Sequence, residues 1–154
     1  MRFTRWLAVV LPAVLAAGCS PAKQPATATA TMLDGQTVTV EQLKGKPLVL
    51  NFWATWCPPC RLEMPDLEQV YLDYKDRDVQ FLAVSSEGAG DVSAFVEDNN
   101  LTLPIATDGR ALFDAFGIKY LPTTVFIHSD GTVAEKVVGG REYADFEAAI
   151  KKLE

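Results

Sequence analysis

Two periods of apolar residues organise the chain. Thr29–Leu33 and Gln36–Val40 read as short strands around Asp34-Gly35, a dipeptide suited to a tight hairpin turn. Pro47–Trp53 is a continuous apolar run of the kind a strand buried on both faces shows. Over residues 59–74, Leu62, Leu67, Val70, Tyr71 and Tyr74 recur at helical spacing, and Pro65 inside that helix is predicted to kink it. Val79–Ser85 is a second buried strand. Asp91 is the predicted cap of a helix carrying Val92, Phe95 and Val96. Leu103–Ala106 is a short strand. Asp108 is the predicted cap of a helix with Leu112, Phe113 and Phe116, stopped by Gly117. Thr123–His128 and Thr132–Val138 flank Asp130-Gly131 as a second hairpin. Tyr143, Phe146, Ile150 and Leu153 line one face of a last helix, with Lys151 and Lys152 near its negative end. The predicted order is β-β-β-α-β-α-β-α-β-β-α. Strands separated by helices pair in parallel and the late hairpin adds antiparallel strands, so the expectation is a three-layer α/β fold with a mixed central sheet, helices on both faces and an N-terminal β-hairpin.

Composition narrows the class. Of 154 residues, 49% are hydrophobic and 22% charged, which argues against disorder, collagen and coiled coil and suits one domain. A formal charge of −6 argues against nucleic acid as a partner, because phosphate binding needs clustered Lys and Arg. Three cysteines are too few for a disulfide-stapled scaffold.

The first residues carry a different signal. Arg2 and Arg5 precede an apolar stretch from Trp6 to Ala17, interrupted only by Pro12. As a helix it would reach roughly 18 Å, short of a ~30 Å hydrocarbon core, so it reads as a signal-peptide core rather than a membrane span. Its end, Leu15-Ala16-Ala17-Gly18-Cys19, resembles the lipobox of bacterial lipoproteins, which implies lipidation of Cys19 and removal of residues 1–18. That removal takes away two arginines and no acid, leaving 12 basic against 20 acidic side chains, a formal −8. An acidic body is not held to an anionic membrane by charge, so the expected membrane partner is reached through acyl chains. Residues 19–28 read as a flexible tether and residues 29–154 as the folded domain.

The candidate chemistry is Cys57-Pro58-Pro59-Cys60, placed between a buried strand and a helix. A zinc site would need four ligands, and the chain has no second CxxC and one histidine, His128. A structural disulfide over so short a loop would constrain little of the unfolded chain. The best reading is a redox dithiol, which needs no bound cofactor or metal. At a helix N-terminus, unpaired N–H groups and the macrodipole favour a Cys57 thiolate, the attacking species. Cys60, one turn inside, is expected to be the more buried, resolving thiol. Pro58 and Pro59 occupy the first turn, where missing N–H groups cost little.

The stretch Phe52-Trp53-Ala54-Thr55-Trp56-Cys57-Pro58-Pro59-Cys60-Arg61-Leu62-Glu63-Met64-Pro65 resembles the active site of thioredoxin-fold proteins, specifically the TlpA/ResA-like branch. Pro65 stands five residues after Cys60, as does the kinking proline of thioredoxins. Leu121-Pro122-Thr123-Thr124 resembles their cis-proline loop, and Asn51 occupies the place where cytoplasmic thioredoxins carry a buried Asp. The resemblance implies a thioredoxin-like fold over about residues 29–154 and thiol–disulfide exchange with client proteins. It implies that Pro122 is cis and that Leu121 presents its backbone to a substrate segment. Trp56 is expected to be a surface aromatic that shields Cys57 and contacts the partner, and Trp53 to be core. Glu87 is expected to be a partly buried acid near Cys60 that moves protons during exchange. The family reading is a membrane-tethered monomer that reduces clients such as apocytochrome c or copper-site assembly proteins and is re-reduced by a membrane donor of the DsbD/CcdA type. The competing readings are a thiol oxidase or isomerase on the same fold, and a copper metallochaperone using His128 with the two cysteines. A peroxiredoxin pattern of proline, threonine and a single peroxidatic cysteine is missing.

Overall fold

In the computed structural model, which describes residues 27–153, the elements follow the predicted order. They are β1 (Thr29–Met32), β2 (Thr37–Thr39), β3 (Leu48–Trp53), α1 (Pro58–Tyr74), β4 (Gln80–Ser85), α2 (Ala89–Asp98), β5 (Ile105–Thr107), α3 (Arg110–Ala115), β6 (Thr123–Ile127), β7 (Val133–Val138) and α4 (Tyr143–Ile150), with a 3-10 turn at Glu41–Leu43. The seven strands form one sheet in the order β2-β1-β5-β4-β3-β6-β7. β3 runs parallel to β4, with Leu48 opposite Gln80 and Trp53 opposite Ser85, and antiparallel to β6, with Phe52 opposite Thr123. β5 extends the parallel core, while β1 and β7 close it in antiparallel pairing.

β3 is buried at all six positions, which explains its apolar composition, with Asn51 its single polar residue. Successive residues point to opposite faces. Val49 and Trp53 pack with α1, α2 and α4, while Leu48, Leu50 and Phe52 pack with α3 and the N-terminal hairpin. On the α3 side, Phe52 meets the rings of Phe113 and Phe116 at centroid distances of 5.0 and 5.7 Å. On the other, Trp53 meets Phe95 at 5.1 Å. Each such buried side chain contributes about 1.5–3 kcal/mol, and the two layers clamp the strand that leads into Cys57.

Three local expectations change. Leu62 is not on the buried face of α1: it is 80% exposed, and the buried stripe is Cys60, Glu63, Met64, Leu67, Val70 and Tyr74. Asp91 lies in the first turn of α2, where its charge suits the helix dipole, and Gly88 takes the cap position. Asp108 adopts a left-handed φ of 51°, and Gly109 caps α3 instead. A Cβ on Gly109 would come within 2.2 Å of Val84 Cγ1 and 2.9 Å of the Ser85 carbonyl oxygen, so this close approach of loop to strand requires glycine. Gly117, at φ 59°, ends that helix as predicted. α1 continues through Pro65 to Tyr74.

Residues 1–18, the lipidation candidate Cys19 and most of the tether lie outside the described residues. Among the described residues no helix is long and apolar enough to cross a membrane.

Candidate active site

The carboxyl end of β3 leads through Ala54–Trp56 into the N-terminus of α1. Cys57 is the helix cap: its sulfur accepts a hydrogen bond from the Cys60 backbone N–H at 3.3 Å, and its own N–H donates to the Ala54 carbonyl at 3.2 Å. Pro58 and Pro59 fill the first turn. The two cysteines form a disulfide, with Cα atoms 5.3 Å apart. Both are buried, but only Cys57 lines an open cleft of about 490 Å³, together with Trp56, Pro58, Tyr120 and Leu121. The same N–H that caps the sulfur would stabilise a Cys57 thiolate once the disulfide is reduced.

The facing wall comes from the segment before β6. The Leu121–Pro122 peptide is cis. Leu121 lies outside the strand and has no backbone hydrogen bond among the described residues, while the Pro122 carbonyl accepts from Gly139 N–H and the Thr123 hydroxyl donates to the Tyr120 carbonyl. Trp56 is 70% exposed at the rim and Trp53 is fully buried. The structure thus brings Trp56, Cys57 and Leu121 to one cleft.

Glu87, in the loop after β4, is half-buried. Its carboxylate accepts from Thr55 N–H at 2.8 Å, from the Thr55 hydroxyl at 2.6 Å and from the Ser85 hydroxyl at 2.9 Å. It therefore fixes the peptide two residues before Cys57. His128 follows Ile127, which pairs with Leu48 at the opposite end of β3 from Trp53. At ~3.3 Å per residue that is about 16 Å of strand, so His128 does not join the cysteines. Among the described residues no group of three or more His, Cys, Asp or Glu is arranged to hold a metal ion.

Sequence reasoning does not single out Glu63, three residues after Cys60. It is only 2% exposed. Its carboxylate accepts from Asn51 Nδ2 at 2.7 Å and from Arg141 N–H at 2.9 Å, and the same Asn51 Nδ2 also donates to the Thr124 hydroxyl at 3.1 Å. Burial raises its pKa to about 7 against the opposing effects of those two hydrogen bonds and the Arg141 charge, with Asp66 adding a further upward push. A signal was present: an acid three residues from one half-cystine and four before Leu67 sits on the apolar stripe of its helix. Asn51 in place of an acid on β3 points the same way, since a neutral amide can accept an acidic neighbour.

An oxidised CPPC pair at the head of a helix, on a mixed sheet of this order, makes the protein a thiol–disulfide oxidoreductase of the thioredoxin-like class. Residues 21–136 match the AhpC/TSA family. The thiol-disulfide oxidoreductase ResA of Bacillus thuringiensis (strain Al Hakam) is 36% identical over 125 residues, covering 80% of this chain and 72% of the relative. Among solved structures, a thiol:disulfide interchange protein of Chlorobium tepidum TLS superposes with a TM-score of 0.77 at 31% identity, covering 89% of this chain and 99% of the other. The exposed lipoprotein thioredoxin of Streptococcus pneumoniae strain TIGR4 gives 0.70 at 26% identity, covering 81% and 98%. The chain belongs to the AhpC/TSA family, among the ResA-like thiol–disulfide oxidoreductases of the thioredoxin superfamily.

Proposed function

We propose that this protein is a disulfide reductase of the cell envelope, tethered to the membrane by a lipid on Cys19. The observation that carries the exchange reading is that Cys57 lines an open cleft together with Leu121, whose backbone has no hydrogen-bond partner among the described residues. In the reduced protein the Cys57 thiolate attacks a client disulfide, forming a mixed disulfide and releasing one client thiolate, which takes up a proton. Cys60 then attacks Cys57. The Cys57–Cys60 disulfide forms, the second client thiol leaves, and two electrons have passed to the client. The client strand pairs with the Leu121 backbone, Pro122 holds that loop, and Trp56 covers the bond being exchanged. Glu63, on the same face of α1 as Cys60, takes the proton that Cys60 must lose. Glu87 tunes the dithiol by holding Thr55.

Reduction rather than oxidation is favoured because an oxidising compartment already makes disulfides, and a tethered protein is placed to return electrons to selected clients. Disulfides of apocytochrome c or of copper-site assembly proteins are the client class, and a membrane donor of the DsbD/CcdA type would restore the dithiol of a monomeric domain. The likeness to an exposed lipoprotein thioredoxin supports the anchor. A Cys60→Ser protein is expected to accumulate mixed disulfides with its clients, identified by mass spectrometry. The wild-type potential is expected nearer about −270 mV than the roughly −120 mV of strong oxidants. A value at the oxidising end would assign it to disulfide formation. A Cys19→Ser protein is expected to leave the membrane fraction and keep its peptide-disulfide reductase activity. Loss of activity in a folded Cys19→Ser domain would make Cys19 a third redox thiol.

A further inference from the structure

The chain carries 20 acidic side chains against 14 basic ones, yet among the described residues no carboxylate lines the Cys57 cleft. Its charged wall is Arg110, at the start of α3, and Lys119, between α3 and β6. Lys119 has no ion-pair partner among the described residues. Arg110 meets Asp114 at 3.3 Å on the same helix, with side chains 77% and 67% exposed. A pair this open to water contributes little, so the guanidinium is available to a second carboxylate. The remaining wall is largely apolar, with Trp56, Pro58 and Tyr120 around the sulfur. A cleft with low-dielectric walls and one sign of charge concentrates its field on whatever enters.

We propose that Arg110 and Lys119 select client segments bearing an acidic side chain close to the reactive cysteine, in the part of the segment that enters the cleft. This rests on the exchange reading above and names the chemistry of its preferred client. A carboxylate brought in beside the cysteine meets two cations, and Arg110 can receive it through two parallel N–H···O bonds. A lysine at the same place meets like charge. Both residues are exposed, so reversing their charges leaves the core untouched.

The test uses two synthetic peptides, each closed by one disulfide and identical except for Glu or Lys beside the cysteine. Fully reduced protein is mixed with each at low ionic strength, and the second-order rate constant of protein oxidation is measured. The Glu peptide is expected to react at least about fivefold faster, with the ratio shrinking toward one in about 1 M salt. The double variant R110E/K119E is expected to invert the preference. Because both peptides meet the same thiol, the ratio cancels any change in Cys57 reactivity. A wild-type ratio near one, or a ratio untouched by salt or by charge reversal, overturns the proposal and leaves exchange standing. Oxidation by neither peptide overturns the reductase reading and this one with it.

Discussion

Two carboxylates bracket the CPPC segment and live under opposite conditions. Glu87 holds the Thr55 peptide just before it, half-exposed, with three hydrogen bonds from Thr55 and Ser85. Glu63 lies just after it, sealed between α1, β3 and the loop before α4, with one donor on each oxygen. Both are glutamates, one holding the residue two before Cys57 and the other three after Cys60. Burial decides the difference: desolvation outweighs the two donors to Glu63 and moves its pKa to about 7. The lesson is one of burial: the fold has dried Glu63, whereas Glu87 keeps contact with water and anchors the Thr55 peptide.

The strongest way to break this contrast is Glu63→Gln. Near pH 7 it is expected to slow resolution of the mixed disulfide by about a hundredfold, the usual scale of general-base assistance, read by rapid-quench trapping of the mixed species. A resolution rate equal to that of wild type would remove Glu63 from the proton path. The same substitution tests its linkage to folding. Because the folded pKa lies above the unfolded value of 4.5, the stability tied to protonated Glu63 is complete below about pH 4.5 and is lost as pH rises through about 7. The wild type is therefore expected to lose about 3 kcal/mol more than the variant across that window in urea unfolding of the oxidised protein. Parallel pH profiles would mean that Glu63 ionises as an ordinary carboxyl.

Glu87 is expected to behave in the other way. Glu87→Ala leaves Thr55 N–H and two hydroxyls without their acceptor, and is expected to cost about 1–2 kcal/mol at pH 7. Calorimetry checks this, and a melting temperature equal to that of wild type would show that the clamp contributes nothing. The subtler Glu87→Gln retains an acceptor but removes charge. It is expected to lower the thiol titration of the reduced protein, since a nearby carboxylate disfavours a thiolate. Alkylation rate against pH reads the titration, and an unmoved curve would separate Glu87 from the dithiol. The smallest effect sharpens the Glu63 side: Asp66→Asn removes a like charge and is expected to move the Glu63 midpoint downward. An upward movement, followed by carboxyl-detected NMR, would contradict that electrostatic picture.

Much of this was legible before any coordinates. The order of strands and helices, the two Asp-Gly hairpins, the buried β3 and β4 and the CPPC at a helix head all follow from neighbours in the chain. The errors are informative because they share a cause. Leu62 matches the helical period as well as Met64 does, but the sheet and α4 pack against the Cys60–Glu63–Leu67 stripe and leave Leu62 in water. Asp91 and Asp108 have the chemistry of caps, yet glycines hold the cap positions, at Gly109 because Val84 and Ser85 approach too closely for a side chain.

Composition and periodicity determined the layers, and the CPPC with its flanking residues determined the class of chemistry, because both are written in contiguous residues with local physical consequences. Tertiary structure alone decided which acid is dry. Glu63 meets Asn51 from twelve positions earlier and Arg141 from seventy-eight positions later only after β3, α1 and the loop before α4 have closed around it. The cationic wall of the cleft has the same origin. Arg110 and Lys119 are unremarkable in an acidic chain until the sheet sets the α3–β6 segment against the head of α1, where both line the same cleft as Cys57.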